Sequence, residues 1–304
     1  MIVYRELSSL ERDLGINAKT LYAVSNNLGR HYHKAKIPKK GVGNRNLSVP
    51  DEILKSIQKQ IAEGLLIHMP VSGYAKAYRF GSSTLRNAKH HVGKLVVLKL
   101  DILHFFDSIW YSTVKDKVFP EEIYAEPLRI QLTMLCYHKD ALPQGAPSSP
   151  AITNIILYEF DELIGHWCLE RGIAYTRYCD DMTFSGNFDP AEVIRFVRLE
   201  LKKMGFLLNE QKTRIQRPGQ QQSVTGIVVN EKLSIPANYR RKLRQELYYC
   251  RNFGIQEHLQ KTGLEIPEDA YRIQLLGKIN YVLQVHPDDR DMLDTKKWLL
   301  GINK

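Results

Sequence analysis

Two apolar strand candidates that end on acids constrain this chain more than any other feature. Lys94-Leu-Val-Val-Leu-Lys-Leu100 is a short apolar run ending on Asp101. Ile173–Cys179 and Met182–Ser185 are two further runs, joined at Asp180-Asp181. Runs this short and this apolar predict buried strands. Strands that neighbour one another in a sheet would bring the three carboxylates together. Like charges so placed repel and require cations, and an oxygen-only donor set favours Mg²⁺. Taken alone, an Asp-Asp turn reads as a solvated hairpin tip; the aromatic before it and the apolar strands on both sides weigh against that.

The surrounding pattern alternates strand and helix. Residues 4–28 predict one or two short helices broken at Gly15-Ile16-Asn17, and residues 31–49, interrupted by Pro38 and Gly41-Val-Gly43, predict a hairpin or loop. Pro50-Asp51 opens a helix with an apolar stripe at Ile53, Ile57, Ile61 and Leu65. Residues 113–137 predict helix interrupted near Pro120 and Pro127. Ser148-Ser149-Pro150 reads as a capped helix start, followed by Ile152, Ile155, Ile156, Phe160, Leu163 and Trp167 at helical spacing. Asp189-Pro190 caps another helix that stops at Gly205, and short strands are expected at 206–209, 213–217 and 223–229. From about residue 237 only helical patterns remain, including Tyr239–Phe253 and Asp269–Val285. The class is α+β, a sheet with helices packed on one face and a helical C-terminal part.

Charge is localised. From Arg30 to Lys99 there are 14 Lys and Arg against 3 acids, a net +11, while the whole chain carries +10. Such a block is the footprint of a polyanion partner, nucleic acid first. The four cysteines (Cys136, Cys168, Cys179, Cys250) form no Cys-x-x-Cys pair and no disulfide framework. No apolar run approaches the ~18–20 residues that span a bilayer, and the start at Met1 has no basic-then-apolar signal pattern. A cytoplasmic location and no membrane partner are expected.

Several motifs occur in order. Asp101-Ile-Leu-His-Phe-Phe106 resembles the first carboxylate motif of reverse transcriptases, Leu142-Pro-Gln-Gly-Ala-Pro-Ser-Ser-Pro150 their Pro-Gln-Gly motif in its bacterial form, and Tyr178-Cys-Asp-Asp181 their Tyr-x-Asp-Asp box. Asn87-Ala-Lys-His-His91 and Val224-Thr225-Gly226 resemble the Asn-Ala-x-x-His and Val-Thr-Gly elements of retron reverse transcriptases. The chain is similar to that family over essentially its whole length. Cys179 departs from it, standing where the family usually has Ala.

The resemblance implies a right-hand polymerase. Residues 1–94 would be N-terminal helices and basic fingers, 95–235 an antiparallel-sheet palm with part of the fingers inserted, and 236–304 a helical, RNA-binding thumb. It implies that Asp101, Asp180 and Asp181 are catalytic and hold two Mg²⁺, with the Ile102 carbonyl as a further metal ligand. Phe106 would be a steric gate against a ribose 2′-OH. Gln144, Arg45 and Lys212 would contact the incoming dNTP. Asn87, His91, Val224, Thr225 and Gly226 would serve a dedicated RNA, as would Arg240, Arg241 and Arg244 in the thumb.

The activity implied is RNA-directed DNA synthesis on a structured noncoding RNA, primed from a 2′-OH of that RNA and leaving multicopy single-stranded DNA. The setting implied is bacterial antiphage defence, with a separate effector protein and host RNase H as partners. Two alternatives stay open on the residues: a group II intron-like reverse transcriptase, and a non-catalytic RNA-binding scaffold or antitoxin.

Overall fold

The computed structural model describes residues 4–38 and 44–301, with the side chains of residues 44–46 outside the description. In chain order the elements begin with α1 (Leu7–Leu14), α2 (Ala18–Ser25), β1 (Tyr32–Pro38), β2 (Asn44–Pro50), α3 (Glu52–Gln60), α4 (Thr84–Lys89) and β3 (Val96–Asp101). There follow α5 (Tyr111–Val118), α6 (Glu126–Cys136), α7 (Ser149–Ile156), α8 (Tyr158–Glu170), β4 (Ala174–Tyr178), β5 (Asp181–Gly186) and α9 (Pro190–Lys203). The chain then runs through β6 (Arg214–Gln216), β7 (Ser223–Val224), β8 (Ile227–Val228), α10 (Ala237–Phe253), α11 (Ile255–Thr262), α12 (Glu268–Val285) and α13 (Arg290–Gly301).

The chain divides into two compact units that interleave along the sequence. The first comprises Met1–Gly81, Leu98–Phe184 and Phe188–Ile215; the second comprises Ser82–Val97, Ser185–Asn187 and Gln216–Lys304.

In the first unit, Gly15 at φ +66° ends α1 and the Asn17 side chain caps α2. β1 and β2 pair antiparallel from Tyr32 opposite Pro50 to Pro38 opposite Asn44. Asp51 caps α3, accepting from Leu54 N at 2.9 Å. The buried stripe of α3 differs from the expected one. Leu54 and Ile57 of α3, with Ile61 and Leu65 of the π-helical turn that follows it, point into the core and Ile53 is exposed, because the first step along the buried face is three residues rather than four.

Ser148 makes no capping bond through its side chain; Ser149 Oγ instead donates to Pro143 O at 2.8 Å. The long helix expected after it is two helices, α7 and α8, separated at Leu157, and Leu163 is exposed rather than core. The four-stranded sheet has the order β4-β5-β3-β6, so the two acid-bearing strands are hydrogen-bonded neighbours. One large apolar core, with members from Tyr4 to Leu208, fills this unit.

The second unit holds two smaller cores. One gathers Leu243, Leu247, Tyr271, Leu275 and Ile279 of α10 and α12. The other sets Ala88 and Val97 against Val224, Ile227 and Val229. The single strand expected over 223–229 is a hairpin, with Thr225 at φ +47° and Gly226 at φ +86° as its two-residue turn. Two left-handed residues match the strand twist, which is why glycine stands at one of them. The chain does turn back again through 230–232, pairing Val228 with Ser234.

Candidate active site

The site is built where β3 ends. Val96, Val97, Leu98 and Leu100 are buried, and Asp101 follows with 4% of its surface exposed. Backbone bonds from two segments fix this strand end: Ile102 N donates to Asp180 O at 3.3 Å, and Asn209 N donates to Asp101 O at 2.8 Å. Both carboxylate oxygens of Asp101 have partners. Asn209 Nδ2 donates to Oδ1 at 3.0 Å, and Lys212 Nζ to Oδ2 at 2.8 Å.

Asp180 and Asp181 lie at the β4–β5 turn. Cys179 before them adopts φ +61°, a left-handed backbone that an L side chain rarely takes. Its thiol accepts a hydrogen bond from Tyr78 Oη at 3.3 Å, and burial pushes it up to about 12, so it stays protonated. Water reaches the Asp181 side chain. Even so, close packing first, then the charges of Asp180 and Asp101, push its carboxyl up to about 6, against the pull of Lys99 and Lys212. Burial disfavours the Lys212 ammonium, yet its bond to Asp101 and the three acid charges raise its pKa overall.

One cleft of about 960 Å³ is lined by all three aspartates together with Ile102, Phe106, Gln144 and Lys212. Phe106 packs edge-on against Phe105, 5.6 Å between ring centres, and its carbonyl accepts from Leu142 N at 3.1 Å. That bond ties the aromatic to the loop carrying Gln144. Gly145 in this loop has φ +119°, and a Cβ there would lie 3.2 Å from Ser48 O, so a side chain would be strained by the backbone conformation and would crowd β2. Arg45 belongs to β2, but its side chain lies outside the described residues.

The remaining site candidates belong to the second unit, where the structure puts several of them out of a ligand's reach. Asn87, His91 and Val224 are fully buried. Asn87 Nδ2 reaches Thr225 Oγ1 at 3.5 Å, Thr225 Oγ1 donates to Thr84 O at 3.0 Å, and His91 Nδ1 lies 2.7 Å from Ser185 Oγ. Asn87 and Thr225 thus tie α4 to the β7–β8 turn, while His91 meets Ser185 of β5. Gly226 contributes its carbonyl to Tyr281 Oη at 3.0 Å. On α10, Arg240 is half-buried and paired with Asp289. Arg244 lies 3.6 Å from Asp291, and it and Arg241 are exposed.

Sequence reasoning missed Asn209, Tyr78 and the buried pair Arg177–Asp161. Asn209 could have been found from its place three residues before Lys212. The others have no local signal, since their partners are 16 to 101 residues away.

A family profile described as reverse transcriptase (RNA-dependent DNA polymerase) matches residues 37–267. The chain is 31% identical to the retron Ec83 reverse transcriptase of Escherichia coli over 236 residues, 69% of this chain and 73% of that protein. The chain belongs to the retron-type reverse transcriptases. The retron Mx65 reverse transcriptase of Myxococcus xanthus is 32% identical over 88% of this chain, which spans 64% of that relative's length. The retron Ec86 reverse transcriptase of Escherichia coli is 29% identical over 85% of this chain and 82% of its own. Among solved structures, apo telomerase from Candida tropicalis aligns over 67% of this chain and 55% of its own, at 14% identity and a TM-score of 0.49.

With this membership the four-stranded sheet is read as the palm of a right-hand fold. The family as a whole implies dependence on a divalent cation. The donor set fits one, being carboxylate oxygen, and the charges of Asp180 and Asp101, which after burial help to raise the Asp181 carboxyl, are what a cation would offset. Among the described residues no three acids, histidines or cysteines are yet close enough to share an ion. Asp101 is engaged by Lys212 and Asn209 instead, so the Lys212 ammonium stands as its counter-charge. Among those residues, too, no helix is long and apolar enough to cross a membrane.

Proposed function

We propose that this chain is the RNA-directed DNA polymerase of a retron, extending DNA on a dedicated structured noncoding RNA from a 2′-OH of that RNA. The observation that carries this reading is the single cleft that gathers Asp101, Asp180, Asp181, Phe106, Gln144 and Lys212. The product would be multicopy single-stranded DNA. The RNA and its cDNA, dNTPs, host RNase H and a separate effector in antiphage defence complete the proposed setting, in the cytoplasm.

Asp101, Asp180 and Asp181 would hold two Mg²⁺, with the Ile102 carbonyl as a further ligand. When bound, the two ions lower the pKa of the attacking sugar hydroxyl and stabilise the leaving oxygen. Asn209 keeps Asp101 turned into the cleft. The Phe106 ring, packed on Phe105 and with its backbone carbonyl held by Leu142 N, would offer a flat wall under the sugar, with which a 2′-OH would collide. Gln144 sits on a loop whose path is set by Gly145, so its amide meets the incoming nucleotide without having to be ordered first. Lys212 would leave Asp101 and donate a proton to, or neutralise, the departing pyrophosphate. Arg45 would meet the triphosphate with a planar fork suited to phosphate oxygens.

The experiment is to sequence the nucleic acid that co-purifies with the protein and to repeat it with the Asp180→Ala/Asp181→Ala variant. A unique RNA covalently joined to complementary DNA, present with the parent and reduced to RNA alone with the variant, is expected. Random cellular RNA, or DNA synthesis that survives the double substitution, would overturn the reading.

A further inference from the structure

The geometry points to Arg177, held by Asp161, as a positioning residue that sets the Asp180-Asp181 turn; this rests on the polymerase reading above.

Both side chains have 0% exposure. Arg177 Nε donates to Asp161 Oδ1 at 2.8 Å and Nη2 to Oδ2 at 2.5 Å, a two-pronged pair. Tyr175 Oη adds a third bond to Asp161 at 2.8 Å. Burial works against the guanidinium charge, and Asp161 restores it. A fully buried ion pair is a poor source of stability, because desolvating both charges offsets most of their attraction, and apolar replacements are often as stable. Stability therefore does not account for Arg177.

Its remaining donor does. Nη1 reaches out of the pair to the carbonyl of Cys179 at 2.9 Å. Cys179 is the left-handed residue of the turn. A side-chain-bearing residue in that conformation is strained and persists only when its surroundings hold it. The peptide that follows leads directly into Asp180, so rotating it would swing that carboxylate. The next carbonyl, that of Asp180, is held by Ile102 N at 3.3 Å. Two successive carbonyls are thus pinned, one from the buried pair and one from the strand end that carries Asp101.

Arg177 itself cannot drift. Its backbone N–H donates to Tyr74 O at 2.9 Å, and its carbonyl accepts from Lys76 N at 2.7 Å. Asp161 lies on α8 one turn before Gly165, where the Tyr74 ring packs so closely that an added Cβ would sit 2.0 Å from it. The chain of fixed parts runs from α8 through Asp161 and Arg177 to the turn. Tyr78 supplies a weaker third tie to the Cys179 sulfur.

Three variants separate positioning from stability. Arg177→Lys keeps a positive charge against Asp161, but one ammonium cannot serve both the carboxylate and the Cys179 carbonyl. The paired Asp161→Leu/Arg177→Met, made together with Tyr175→Phe so that no buried hydroxyl loses its acceptor, replaces the ion pair by apolar groups of similar bulk and removes the donor. Cys179→Ala removes only the sulfur contact. Primer extension gives kcat and KM for dNTP, Mn²⁺ titration followed by electron paramagnetic resonance gives cation affinity, and thermal unfolding gives stability.

The paired variant is expected to unfold near the parent temperature, yet lose about 10- to 100-fold in kcat with KM for dNTP little changed, and to bind Mn²⁺ more weakly. Arg177→Lys should do the same, and Cys179→Ala should stay within about twofold of the parent. A folded paired variant with parental kcat and Mn²⁺ affinity would overturn the assignment. If the parent itself makes no DNA on any template, the polymerase reading fails; Mn²⁺ affinity still decides the role of Arg177.

Discussion

Asn209→Leu is the substitution that most directly tests how the first carboxylate is held. Asp101 is 4% exposed and has two side-chain partners, Asn209 Nδ2 at 3.0 Å and Lys212 Nζ at 2.8 Å. Leucine has the branching and heavy-atom count of asparagine and is bulkier, so the change removes a donor without opening a cavity. A hydrogen bond to a charged acceptor contributes about 1.5–3 kcal/mol, and a buried acceptor left short of partners bears most of that as a penalty. Lys212 remains in place, which argues for the lower half of the range, about 1.5–2 kcal/mol. At roughly 2–4 °C per kcal/mol for a unit of this size, apparent Tm should fall by about 3–8 °C.

A cation on Asp101 supplies the positive partner that the variant lacks. Mg²⁺ should therefore raise the Tm of the variant more than that of the parent. The assay is thermal unfolding with and without Mg²⁺, alongside primer extension. A Tm within about 1 °C of the parent, with the same response to Mg²⁺, would refute the reasoning that Asn209 carries part of the Asp101 charge.

Phe106→Ala should increase ribonucleotide incorporation relative to dNTP in competitive primer extension; unchanged sugar selectivity would remove Phe106 from the gate. Protonation takes Asp181 out of the donor set, and its carboxyl is held up to about 6 in the absence of ions. Cation affinity should thus fall as pH drops through about 6 and level off above it, which Mn²⁺ titration across pH 5–8 would reveal as a single-proton slope. Gly226→Ala places a Cβ at φ +86° and 3.2 Å from Tyr281 Oη, so about 1–2 kcal/mol of stability should be lost in chemical denaturation. If the basic block from Arg30 to Lys99 carries RNA affinity, binding should weaken steeply between low and moderate salt; a flat salt response would assign affinity to base and shape contacts instead.

Local signals found most of the frame. Gly15 and Asn17 marked the break between α1 and α2, Asp51 and Asp189 capped their helices, and the apolar run before Asp101 became β3. Each depends on residues within a few positions of one another. Errors arose where packing chose among equivalent local patterns. Ile53 and Leu54 are both apolar and adjacent, and only the position of the core decides which is buried. The Val-Thr-Gly segment reads as strand from its β-branched residues, but Thr225 Oγ1 bonding to Thr84 O, far away in sequence, fixes a turn there.

By itself the sequence determined the family and nominated the residues proposed for the chemistry. Three aspartates, an aromatic five residues after the first, and a Pro-Gln-Gly loop follow in an order that chance does not supply. Only the tertiary structure decided how those residues are held. Asn209 and Lys212 meet Asp101 from more than a hundred positions away, and Arg177, held by Asp161 on another element, bonds the Cys179 carbonyl beside Asp180. It also decided that Asn87 and His91 face inward. The physical reason is that the identity of a charged or aromatic group is a local property. Its hydration and its hydrogen-bond partners depend on which distant segments the core brings alongside it.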